Sequence, residues 1–143
     1  MKQYTGQLKT LGAGSSSVGR GDRYTYIEIG DHRIKNVGVS DALDGILQEA
    51  LHNSTPISIW IVSYFGKKII AGVSRADGTV FRAKMTGILM GSVVAAIACG
   101  FLYAGFAEHS PFHAMLGLAF GSWVLYFANV NRQLFSIPAN DVL

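Results

Sequence analysis

The chain has 143 residues, half of them hydrophobic and only 15% charged, with a formal net charge of +3. That balance excludes disorder, which combines low hydrophobicity with high net charge. It also argues against a simple soluble globule, because eleven of the twelve Lys/Arg and seven of the nine Asp/Glu crowd into residues 1–84.

Residues 1–23 are polar and Gly/Ser-rich and lack the apolar run of a secretory signal. Residues 4–11 are predicted as a first strand around Tyr4 and Leu8, and residues 12–21 as a flexible Gly/Ser loop. Tyr24 to Ile29 reads as a strand, Gly30-Asp31 as a two-residue hairpin turn, and His32 to Val39 as the returning strand. Ser40 stands where a helix N-cap belongs, followed by Asp41 and Asp44, which suit the positive end of the helix dipole. Leu43, Ile46, Leu47, Ala50 and Leu51 recur at helical spacing until Asn53 to Pro56 ends the run. Ile57 to Tyr64 is the clearest strand; Gly66-Lys67 turns it into Lys68 to Ser74, and Asp77-Gly78 turns that into Thr79 to Arg82.

Three strands, a helix, then two or three strands is the order of an OB-fold barrel, whose helix lies between strands three and four; an SH3-like barrel also accepts it. The predicted fold class is therefore α+β, with a small OB-like β-barrel of order β-β-β-α-β-β over residues 1–84. Ile27, Ile29, Ile57, Ile59, Ile61, Ile69, Ala71 and Val73 would fill its core together with the helix face. Strict alternation leaves a second apolar face, carrying Tyr24 and Tyr26 on one strand and Trp60, Val62 and Tyr64 on another. Tyr24, Tyr26, Trp60 and Tyr64 are accordingly the candidate partner-binding residues, unless the helix, the 12–21 loop or a membrane surface covers them.

Met85 to Ala107 and His109 to Asn131 are two runs of 23 residues without Asp, Glu, Lys or Arg. At about 1.5 Å per residue each can cross a hydrocarbon core of about 30 Å. They predict a transmembrane helical hairpin over residues 85–131, with spans of about 86–106 and 112–130, turned at Glu108 to Pro111. Residues 132–143 are then a short tail. Lys67, Lys68, Arg75, Arg82 and Lys84 precede the first span, Arg132 follows the second, and the turn has no Lys or Arg. The positive-inside rule puts both termini in the cytoplasm, as in a bacterial inner-membrane protein. Gly87, Gly91, Ser92, Ala96 and Gly100 on the first span, with Gly117 and Gly121 on the second, supply the small residues that let helices approach. They would pack the hairpin, or join copies of it. Neither span carries the charged residues of a proton relay or ion path, which argues against a transporter.

The chemistry-bearing patterns are weak. Gly14 to Gly21 resembles a phosphate loop in outline only, because Arg20 and Gly21 stand where Lys and Ser/Thr are needed. Cys99 is alone and lies mid-span, so neither a disulfide nor a thiolate metal cluster can form within the chain. Glu108, His109 and His113 make a poor metal set, better read as polar turn residues. No catalytic residues, metal or cofactor are predicted. Nucleic acid would use Tyr24, Tyr26 and Trp60 for stacking and Arg20, Arg23, Arg33 and Lys35 for charge. The mild charge of residues 1–84 makes it the second reading. The first is a non-enzymatic membrane protein whose OB-like domain binds another membrane protein or its own copies, with lipid as the other partner. A pore of assembled hairpins is the third.

Overall fold

The computed structural model describes residues 1–17, 21–83 and 87–143. Eight strands and three helices are described, in two compact units: Met1–Lys84 with Gln133–Leu143, and Met85–Arg132.

The first unit is a closed five-stranded barrel with OB-like connectivity. β1 (Lys2–Leu11) is shared between two neighbours: its first half pairs antiparallel with β5 (Pro56–Tyr64) and its second half with β3 (Gly21–Ile29). β3 pairs with β4 (His32–Val39), and β5 with β6 (Lys67–Ser74). A short parallel ladder, Val37 to Lys68 and Gly38 to Ile69, joins β4 to β6 and closes the circuit. α1 (Asp41–His52) lies between β4 and β5 in sequence, as expected for this fold. Leu43, Ile46, Leu47 and Ala50 of α1 are buried in one core with Leu8, Ile27, Ile29, Ile34, Val37, Ile57, Ile59, Ile61, Ile70 and Val73. Gly6 permits the β1 crossing, because a Cβ there would sit 2.9 Å from the backbone nitrogen of Gly30.

Three departures from the sequence reading have local causes. β2 (Gly14–Ser17) is a strand, not a loop: it pairs antiparallel with β3, from Gly14 opposite Tyr24 to Ser17 opposite Gly21. The free edge of β3 offers backbone donors and acceptors whatever side chains approach, so a Gly/Ser run of low strand propensity can still pair. In β6 a bulge opposite Trp60 and Ile61 puts Ile70, not Ile69, into the core; Ala71 is buried but outside the core cluster. Ser40 holds the N-cap position with extended backbone, but its side chain makes no capping bond.

Residues 133–143 do not form a separate tail. β7 (Val80–Arg82) extends the sheet from β6, and β8 (Asp141–Val142) pairs parallel with β7. Asn140 clamps Val80 twice, donating from its backbone to the carbonyl at 2.9 Å and accepting the Val80 N–H on Oδ1 at 3.1 Å. Ile137 is 2% exposed and packs over Gly72. The Arg82 guanidinium donates to the Leu134 carbonyl at 3.4 Å and lies 5.0 Å from the centre of the Phe135 ring.

The second unit holds α2 (Gly87–Ala107) and most of α3 (Pro111–Phe135). The short turn at Glu108–Ser110 sets an antiparallel register in which residues equally far from it meet. A Cβ on Gly105 would lie 2.7 Å from the Ala114 nitrogen, and one on Gly117 would lie 2.6 Å from Leu102 Cγ. Phe101 and Phe120 stack with centroids 5.7 Å apart. Among the described residues one helix, Pro111–Phe135, is long and apolar enough to cross a membrane, with Gly91–Ala107 a shorter apolar helix.

Candidate functional site

The four aromatic residues expected on one open face do not share it. Alternation breaks at Thr25 and Asn36, where Asn36 takes a left-handed φ of 54° and the β3–β4 ladder skips a pair. Tyr24 and Val37 therefore point into the core on one side of the break, and Ile27 and Ile34 on the other. Tyr24 is 5% exposed and is corrected from surface to core. Its hydroxyl donates to Asp44 Oδ1 at 2.6 Å and accepts from Gln48 Nε2 at 2.7 Å, pinning α1 to β3. Burial first, then the Asp44 carboxylate, holds the Tyr24 phenol well above its ordinary range. Asp44 is itself raised, chiefly by burial and further by the Asp22 carboxylate, while the Tyr24 hydroxyl opposes the rise.

Trp60 is also corrected: it is 6% exposed. It lies opposite Gly72 in the β5–β6 register, and Ile137 packs over Gly72. Ile137 belongs to residues 132–143, which the sequence predicts as a short tail. Tyr64 remains half-exposed at the end of β5, with its ring edge against Phe65 at 4.8 Å.

Tyr26 is half-exposed, and the Arg33 guanidinium lies over its ring at 4.0 Å. Arg33 also lies 3.4 Å from Glu28 Oε1. Arg23, Arg33 and Lys35 are all exposed on β3 and β4, the pair of strands whose outer face OB barrels use for ligands. Beside them is a hollow of about 360 Å³ lined by Ala13, Gly14, Ser15, Arg23, Tyr24, Thr25 and Asn36. This surface is the candidate site. Its ring is capped by a cation and Arg23 lines its hollow, so it can offer charge-assisted hydrogen bonds to a partner. Arg20, proposed with the other cations, lies outside the described residues, as does Lys84. The sequence reading missed Asn36 and Thr25; an Asn inside a strand pattern was the available signal for a left-handed residue.

The small residues of the second unit divide into two sets. Gly117 packs against Leu102, and Gly105, which the sequence reading did not single out, packs against Ala114. Gly91, Gly100 and Gly121 have open space where a Cβ would lie, and Ser92 and Ala96 are exposed. Gly87 opens α2. At the turn, Glu108 Oε2 lies 3.1 Å from His113 Nδ1. Comparison with protein-family models, curated proteins and solved structures finds no match for this chain.

Proposed function

We propose that this chain is a two-span inner-membrane protein whose OB-like barrel works in the cytoplasm by binding a protein partner held at the same membrane. One observation carries the topology. β7 and β8 flank residues 85–132 in sequence yet pair with each other, so whatever leaves the barrel after β7 returns to it before β8. A membrane can be crossed under that constraint only an even number of times. α3 has the length and apolarity to cross, at 25 residues or about 37 Å. Its return partner is the 23-residue run from Met85 to Ala107, which carries no Asp, Glu, Lys or Arg. Lys67, Lys68, Arg75, Arg82, Lys84 and Arg132 flank the pair on one side, which supports a cytoplasmic barrel.

The binding surface in this reading is the β3–β4 face around Tyr26, Arg33 and Lys35. A protein partner is favoured because Arg33 already covers the Tyr26 ring, which a stacked base would need. The three exposed cations favour nucleic acid as the second reading. Self-association through Ser92, Ala96 and Gly100 accompanies the first, since Ser92 and Ala96 are exposed and a Cβ on Gly100 would meet open space. The test is site-specific photo-cross-linking in the native membrane. A probe at Lys35 should capture a discrete protein that a probe at Asp77 does not, and Arg33→Glu should abolish the adduct. Nuclease-sensitive adducts at Lys35, lost steeply with salt, would transfer the assignment to nucleic acid. Labelling of both termini from the periplasmic side would sink the topology.

A further inference from the structure

The barrel residues that precede and follow residues 85–132 can be placed against its strands. β7 runs antiparallel to β6, with Arg82 opposite Gly72 and the Ala83 N–H bonded to the Ala71 carbonyl at 2.9 Å. The chain therefore leaves β7 heading along β6 toward Lys67. On the return, Gln133 Oε1 accepts from the Met1 amine at 3.0 Å. Met1 precedes Lys2, which pairs with Ile61, three residues before Tyr64. Both junctions thus point to the end of the barrel that carries the β5–β6 turn.

That turn has an unusual composition for its geometry. Phe65 and Gly66 both have positive φ, 48° and 75°, the pattern of a two-residue hairpin turn that prefers Asn or Gly at both positions. A bulky aromatic at the first position is disfavoured sterically, yet Phe65 stands there and is 49% exposed. Lys67 and Lys68 follow it, both exposed, and Lys2 and Met1 are exposed nearby in the register. Strain at an exposed residue is a pointer to use.

We propose that the β5–β6 turn is a membrane-contact tip, with Phe65 seated among the headgroups and Lys67 and Lys68 against anionic phospholipid. Aromatic rings favour the membrane–water interface, and basic side chains beside an anionic leaflet add attraction. The inference rests on the two-span reading and adds a lipid contact to it. The Asp77–Gly78 turn lies at the opposite end of β6 from this tip.

The test uses the full chain in vesicles of phosphatidylethanolamine and phosphatidylglycerol, in a Cys99→Ala background. Nitroxide labels go singly at Phe65→Cys, Lys68→Cys, Asp77→Cys and Leu118→Cys, and collisions with oxygen and with a water-soluble nickel chelate report depth. The labels at Phe65, Lys68 and Leu118 should favour oxygen, and the label at Asp77 the chelate. Each lysine near an anionic surface contributes about fivefold in lipid affinity, so Lys67→Glu with Lys68→Glu should shift the Phe65 label toward water. Phe65 and Lys68 labels as chelate-accessible as Asp77, with Leu118 in lipid, would overturn the tip alone. A water-exposed Leu118 label would overturn the two-span reading and the tip with it.

Discussion

The Tyr24 hydroxyl meets Asp44 Oδ1 at 2.6 Å, so a strand residue and a helix residue twenty positions apart share one proton position. Gln48 donates to the same hydroxyl, and the Asp22 carboxylate acts on the pair. This is the polar seam between α1 and the barrel.

Asp44 gives the seam a pH dependence with a definite sign. Its carboxyl titrates above its ordinary value in the folded state, so the folded chain holds that proton more tightly than the unfolded one. The penalty is absent below the unfolded value of about 4 and reaches its full size above the raised one. Stability should therefore carry a component that falls as pH rises from about 4. Asp44→Asn keeps an oxygen for Tyr24 and should remove that component. Thermal melts of both proteins between pH 4 and 7 measure it, and parallel profiles would refute it.

Tyr24→Phe removes the hydroxyl and leaves Asp44 and Gln48 to find other partners. The expected loss is about 1–2 kcal/mol, without a change of fold. Chemical denaturation in detergent checks it; a loss near zero would mean that water replaces the hydroxyl.

Ile137 over Gly72 should be the main hold of residues 133–143. Ile137→Ala should cost about 2–4 kcal/mol, as for a buried Ile elsewhere. Gly72→Val should lift the same segment by a different route, since a Cβ there already lies 3.2 Å from Ile137 Cγ2 and 3.0 Å from the Phe81 carbonyl oxygen. Both variants should expose Trp60, read as a red-shifted emission and faster proteolysis after Arg132. Unchanged emission in both would show that something else covers Trp60.

The glycines of the second unit should separate by role. Gly117→Leu must displace Leu102 and should destabilise the hairpin by about 1–3 kcal/mol. Gly100→Leu has room and should leave the hairpin intact while reducing any self-association. Cross-linking in membranes, beside melts in detergent, reads the two effects. If Gly100→Leu unfolds the protein and Gly117→Leu does not, the assignment of faces is wrong.

Most of the barrel could be read from the chain because its strands carry long β-branched runs and its turns carry Gly-Asp and Asp-Gly pairs, while the turn expected at Gly66-Lys67 lies one residue earlier, at Phe65-Gly66. Ile57, Ile59 and Ile61 alternate into the core as period two requires. What alternation could not foresee were its interruptions. The left-handed Asn36 turned Tyr24 inward, and the β6 bulge exchanged Ile69 for Ile70, so two errors in face came from two single residues. Trp60 was misread for a different reason. Ile137, which packs over the Gly72 paired with Trp60, is 77 positions away, and no local pattern announces such an approach. Gly105 was passed over because its closeness to Ala114 depends on the length of the Glu108–Ser110 turn rather than on spacing within α2.

Pairing of Asn140 with Val80 spans 60 residues, and this has a consequence for how the protein is made. At ribosomal speeds of about 5–20 residues per second, about 3–12 s pass between the emergence of the two partners. Throughout that interval β6 lacks the Ile137 side chain that packs over Gly72 in the finished fold.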